Sequence, residues 1–132
     1  MQGLHLTADL FGCRDPDRLM RNAPALRQAC EAFARQAGLQ VLGGRFHQFD
    51  AAEQPGGGVT GMVLLAESHL AVHTWPEQAA ATLDVYVCNF RGDNSGKARQ
   101  VCDALIAQLQ PARCERLDIW RGREPAESSP AT

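Results

Sequence analysis

The stretch that decides the fold is Val59-Thr-Gly-Met-Val-Leu-Leu-Ala66, then Glu67-Ser68, then His69-Leu-Ala-Val-His-Thr-Trp75, followed after six residues by Thr82-Leu-Asp-Val-Tyr-Val-Cys88. The first two apolar runs are separated by two residues, too few for anything but an antiparallel hairpin. In the third run Leu83, Val85 and Val87 face one way and Asp84, Tyr86 and Cys88 the other, the period of a strand with one face buried. Short connections between successive strands predict an antiparallel sheet.

Upstream, Leu39–Phe49 reads as a strand in which Gly43-Gly44 marks a bulge or an edge position. Asp50–Gly58, with Pro55 and three consecutive glycines, reads as a loop. Before it, Leu19, Ala23, Leu26, Cys30, Phe33 and Ala37 form a helical stripe that stops at Gly38. Asp15-Pro16 opens that region as an N-cap acid and a first-position proline. Pro24 leaves two readings open: Asn22 restarts the helix, or a short first turn is offset from the main one. His5–Phe11 is a strand with Leu4, Leu6, Ala8 and Leu10 on one face. Downstream, Gly96–Gln110 is a helix that ends before Pro111, and Arg113–Arg121 is a last strand. The order is strand, helix, four strands, helix, strand. This predicts an α+β two-layer sandwich, an antiparallel sheet with two helices on one face. The other sheet face carries Cys88, Tyr86 and histidines. A face of such mixed polarity predicts a partner, here a homodimer with sheet packed on sheet, giving four αββα layers.

The 132 residues are enough for one core and too few for two, so residues 1–123 are read as a single domain. The tail 124–132 is polar and Pro-rich and is expected to be disordered. With 13 Lys and Arg against 15 Asp and Glu, scattered along the chain, the basic footprint of a nucleic-acid binder is missing. The longest apolar run, Met62–Ala66, is far short of a membrane span, and the opening residues show no secretory pattern. Five cysteines without a CxxC pair argue against a disulfide framework or zinc finger, so a cytoplasmic location is expected.

Glu67–Glu77 holds a serine, two histidines and two carboxylates. Each has an ordinary reading: a polar strand serine, hydrogen-bonded structural histidines, surface acids, and in Cys88 a small buried hydrophobe. Two chemical readings stand beside these. His69 and His73 share a strand face, and with Cys88 and His47 they could assemble a zinc site. Alternatively Ser68 is a nucleophile with His73 as its proton-transfer partner. Residues five apart on a regular strand point to opposite faces, so the second reading needs a bulge, turn or break near Ser68.

The run Glu67-Ser-His-Leu-Ala-Val-His-Thr-Trp-Pro-Glu77, with Asp84-Val-Tyr-Val-Cys88 after it, resembles the prokaryotic, pyruvoyl-dependent S-adenosylmethionine decarboxylase proenzymes. The resemblance extends to Gly3-Leu-His-Leu6, Phe46-His-Gln-Phe49, Val59-Thr-Gly61 and Arg121-Gly-Arg123. It implies self-cleavage between Glu67 and Ser68, giving a beta chain 1–67 and an alpha chain 68–132, neither of which could bury a core alone. Ser68 would become a pyruvoyl group, the covalent cofactor that forms a Schiff base with the substrate amine, with no pyridoxal phosphate and no metal. The product would be S-adenosylmethioninamine, which feeds spermidine and polyamine biosynthesis.

The resemblance assigns His73 to proton transfer in processing, with Thr60 in support, and Cys88 to proton donation in turnover. A thiol pKa of about 8.5 suits that task. It assigns Phe49 to stacking on the adenine and Glu77 to the ribose hydroxyls, although a Phe at a strand end reads equally as core. His69 takes a supporting role. Three features depart from the family pattern. Thr60 stands where Ser is usual, the Asp50–Gly58 loop is longer and richer in glycine, and Gln78-Ala-Ala-Ala81 replaces Gly and aromatic residues. Because these changes fall near the pocket, L-ornithine or L-arginine decarboxylation on the same fold is the alternative activity. A non-catalytic paralogue that binds or regulates a partner is the alternative of another class.

Overall fold

The computed structural model describes residues 1–124. Apart from Glu124, the tail expected to be disordered lies outside the described residues. The elements are β1 (Gly3–Phe11), α1 (Pro16–Leu19), α2 (Ala23–Gln36), β2 (Val41–Gln48), β3 (Val59–Leu65), β4 (Ser68–Trp75), a single 3-10 turn (Pro76–Gln78), β5 (Ala80–Cys88), α3 (Ser95–Leu109) and β6 (Arg113–Arg121). The six strands form one antiparallel sheet in the order β2-β3-β4-β5-β1-β6.

Strand alternation separates the two faces. Leu4, Leu6, Ala8 and Leu10 of β1 meet Leu83, Val85 and Val87 of β5, Leu70 and Val72 of β4, and Val59 and Val63 of β3 in one buried layer. Over it lie α2, against β2 and β3, and α3, against β1 and β5. Leu26, Cys30 and Ala34 of α2 and Ala98, Val101, Cys102 and Leu105 of α3 face the sheet at helical spacing. Burial pushes the Cys30 thiol up to about 12 and the Cys102 thiol up to about 11, so both stay protonated and act as packing groups.

Both readings left open by Pro24 are realised. A one-turn α1 precedes the main helix, and Asn22 restarts it by accepting from Ala25 N–H at 3.1 Å. Pro24 then sits in the first turn, where its missing N–H has no intrahelical partner to lose. At the other end Gly38 takes φ +86°, Gly38 N–H donates to Arg35 O at 2.9 Å and Leu39 N–H to Ala34 O at 3.0 Å. That bond pair is a Schellman stop. Asp15 departs from its expected capping role. Its backbone is left-handed (φ 50°), which turns the carboxylate away from the helix amides, and no side-chain cap forms. Gly43-Gly44 is both things it was read to be, since β2 is an edge strand with a register shift between Val41 and Gly43.

The β3–β4 loop is Ala66-Glu67, one residue earlier than read from the sequence. Leu65 pairs with Ser68, so Ser68 belongs to the strand. Two-residue hairpins need positive φ, and Glu67 supplies it at +55°, a conformation that costs a non-glycine residue about 1 kcal/mol or more.

Thr74 is buried at the junction of three elements, accepting from Val59 N–H at 2.9 Å and donating to Met20 O at 2.7 Å. Thr74→Val keeps the shape and strands both backbone groups. We expect a loss of about 2–3 kcal/mol in urea denaturation, whereas an unchanged midpoint would show that neither bond matters.

Candidate active site

The face away from the helices carries His5 and Thr7 of β1, Tyr86 and Asp84 of β5, His69, Ala71 and His73 of β4, and Thr60, Met62 and Leu64 of β3. On β6 it carries Leu117 and Ile119. Met62, Leu64, Leu117 and Ile119 are exposed there. The reactive side chains on and around this face fall into two groups at opposite ends of β3 and β4.

At the first end, Ser68 follows the strained Glu67, and its Oγ accepts from Cys88 N–H at 3.0 Å. Cys88 is 4% exposed, the last residue of β5, and paired with Gly3. A Cβ at Gly3 would lie 2.6 Å from Val87 O, so only glycine allows β1 so close to the thiol strand. Asn94 fixes the same corner by donating from Nδ2 to Cys88 O at 2.9 Å.

At the second end, Thr60 pairs with His73 across β3 and β4, and Thr60 Oγ1 lies 3.1 Å from His73 Nδ1. A cavity of about 280 Å³ opens beside them, lined by Arg45, His47, Thr60, Met62, Ala71 and His73 among others. Phe49 is joined to this end by its N–H, which donates to Gly58 O at 3.0 Å, and its ring stands edge-on to His47 at 4.8 Å between centroids. Glu77 is exposed on the 3-10 turn and packs against the Asp50–Gly58 loop, since a Cβ at Gly56 would collide with its carboxylate. His47 Nε2 reaches Glu53 Oε2 at 2.9 Å and so ties the same loop to β2.

Ser68 therefore sits with Cys88, and Thr60 with His73, near Phe49 and Glu77. Ser68 and His73 do not meet. Ser68 pairs in regular register with Leu65, so no bulge or turn follows it, and the five residue steps from Ser68 to His73 put the two roughly 16 Å apart. The expectation that a local break lets both serve one site is not met within a single chain.

The zinc reading fails for the same reason. His69 and His73 share a face but lie roughly 13 Å apart, His47 is engaged by Glu53, and Cys88 is at the far end. The histidine cluster that does form was not read from the sequence. His5 Nε2 and His69 Nε2 lie 2.8 Å and 3.0 Å from Asp84 Oδ1, and these three residues are close enough to gather a cation. Arg121 argues against it. A guanidinium can only donate, so at 3.2 Å it makes His5 Nδ1 an acceptor and leaves the ring proton on Nε2, where a metal would need a lone pair. The cluster is a closed hydrogen-bond network around one carboxylate oxygen. His5 and Asp84 are 79 residues apart, and only the β1–β5 register reveals the contact.

The sequence pattern of the family described as S-adenosylmethionine decarboxylase matches residues 4–122. The S-adenosylmethionine decarboxylase proenzyme of Aquifex aeolicus (strain VF5) is 42% identical over 127 residues, covering 96% of this chain and 86% of that relative. The proenzyme of the same name from Hydrogenobaculum sp. (strain Y04AAS1) is 38% identical over 120 residues, covering 91% of this chain and 81% of the relative. The crystal structure of the adenosylmethionine decarboxylase from Aquifex aeolicus VF5 superposes with a TM-score of 0.78 at 38% identity, covering 96% of each chain.

Proposed function

The chain belongs to the S-adenosylmethionine decarboxylase family, and we propose that it cuts itself between Glu67 and Ser68 and then decarboxylates S-adenosylmethionine with a pyruvoyl group made from Ser68. The observation that carries this reading is the position of Ser68. It heads a strand directly behind a residue in a strained left-handed conformation, and its hydroxyl oxygen is held by the Cys88 amide.

In processing, Ser68 Oγ attacks the Glu67 carbonyl carbon. The Glu67–Ser68 C–N bond breaks, and an ester replaces the amide. Loss of the Ser68 α-proton then breaks the Cβ–Oγ bond, so the oxygen leaves with Glu67 as a carboxylate. The dehydroalanine left at position 68 takes up one water and releases one ammonia. Relief of the Glu67 backbone strain favours the cut.

The surroundings of Ser68 fit the ketone-bearing residue that results, because the Cys88 N–H stays behind to hold an oxygen there. When formed, the group supplies the electron sink that decarboxylation of an amino acid requires. Cys88 is placed to return a proton to the substrate Cα. Phe49 offers a flat platform for a cationic nucleoside, and Glu77 an acceptor for ribose hydroxyls.

Thr60 and His73 lie too far from Ser68 to act on it in the same chain. A two-fold dimer with sheet on sheet and its axis running across the strands lays one end of the face over the opposite end of its mate. It would also cover Met62, Leu64, Leu117 and Ile119. Each Ser68–Cys88 end would thus meet a Thr60–His73 end from the second copy, completed by Phe49 and Glu77.

That arrangement is testable by mixing. Ser68→Ala and His73→Ala chains are each expected to stay uncut alone. Refolded together in equal amounts, about half of the His73→Ala chains should be cut, since half find a Ser68→Ala mate. No cleavage in the mixture would contradict a shared site. For the substrate, carbon dioxide release should be seen from S-adenosylmethionine and not from L-ornithine or L-arginine. Phe49→Ala should raise KM about tenfold or more with little change in kcat, the size of a lost base-stacking contact. Equal KM values for variant and wild type would assign Phe49 to packing.

A further inference from the structure

Beside the Ser68 end lies a second cavity, of about 260 Å³, on which the proposed chemistry makes no demand. Its walls include Gly38, Leu65, Ala66, Phe90, Arg91 and Lys97. Two cations therefore face one small cavity, and among the described residues neither has a carboxylate within 4.0 Å. The acid nearest in sequence, Asp93, is committed elsewhere, its Oδ1 accepting from Ser95 N–H at 2.9 Å. Lys97 reaches the cavity along Gly38, its Cε and Nζ each 3.7 Å from where a Gly38 Cβ would stand. Two cations kept together without an acid between them are a recognition site for carboxylate or phosphate.

The chain itself supplies such a group one residue away. Ala66 is part of the cavity wall, and the bond that follows Glu67 is the one proposed to break. Glu67 is exposed, and among the described residues its side chain has no hydrogen-bond or ion-pair partner. Cleavage converts it from a strained loop residue with one negative charge into a chain terminus with two, its own γ-carboxylate and a new α-carboxylate.

We propose that this Arg91–Lys97 cavity is the receptor for the carboxylate terminus that self-cleavage creates at Glu67. The inference rests on cleavage at Glu67–Ser68. Docking there draws the severed end away from residue 68, clears the approach to it, and ties the 1–67 chain to α3 of the 68–132 chain by charge-assisted hydrogen bonds.

The test is the accessibility of the cut end. Processed protein is treated with a carboxypeptidase, and loss of Glu67 is followed by the intact mass of the 1–67 chain. In the wild type Glu67 should resist trimming. An Arg91→Gln/Lys97→Gln double variant should lose it about tenfold faster, and an Arg91→Lys/Lys97→Arg exchange should keep most of the protection. If the double variant does not fold, each single Gln variant should fall between the two. Equal trimming of wild type and neutralised variants would overturn the inference while leaving self-cleavage intact. A chain that is never cut would overturn both.

Discussion

Ser68→Ala is expected to give a single uncut chain of 132 residues that folds and releases no carbon dioxide from S-adenosylmethionine. The expected loss is at least about 10⁶-fold, down to the uncatalysed rate, because without the hydroxyl no ketone forms and no other side chain can take the carbanion's electrons. Stability should barely change. The variant removes one acceptor from Cys88 N–H, at a cost of about 1 kcal/mol or somewhat more. A folded Ser68→Ala protein that still turned over would remove the basis of the mechanism. One that failed to fold would show instead that the Ser68–Cys88 bond carries the sheet corner.

Cys88→Ala should separate the two reactions. The bond from position 88 to Ser68 is made by the backbone N–H, which the substitution keeps, so cleavage should proceed. The thiol is lost, and with it the proton donor proposed beside residue 68. Decarboxylation should fall about 10²–10⁴-fold, the range of a positioned general acid. The loss should appear in kcat rather than KM, since the nucleoside contacts proposed for Phe49 and Glu77 are untouched by the substitution. Full turnover by a cut Cys88→Ala protein would reduce Cys88 to a packing residue.

Much of the architecture was readable because alternation is a local property. Leu83, Val85 and Val87 against Asp84, Tyr86 and Cys88 announce both the strand and its faces, and β6 matches its predicted span Arg113–Arg121. The α+β layering followed from connection lengths. Placement of β1 between β5 and β6 did not, since that pairing joins residues about as far apart in sequence as the chain allows. The loop shift to Ala66-Glu67 was hidden because glutamate carries no preference for positive φ; only the tight hairpin imposes it.

The site was half legible. Residue types and the family resemblance pointed to Ser68, Cys88, Thr60, His73, Phe49 and Glu77, and the structure divides them between the two ends of β3 and β4. That division is a matter of strand rise: Ser68 and His73 look adjacent in the sequence and lie far apart on a straight strand. The His5–Asp84–His69 network and the Arg91–Lys97 cavity carried no local signal. Each depends on side chains from segments that meet only in the folded chain.

The most direct measurement is the intact mass of the purified protein under denaturing conditions. Self-cleavage predicts two chains, one ending at Glu67 and the other beginning at a residue 68 that carries a ketone in place of an amine. Their summed mass should equal that of the precursor plus one water and minus one ammonia. A single species of 14.3 kDa that persists through prolonged incubation would contradict the account.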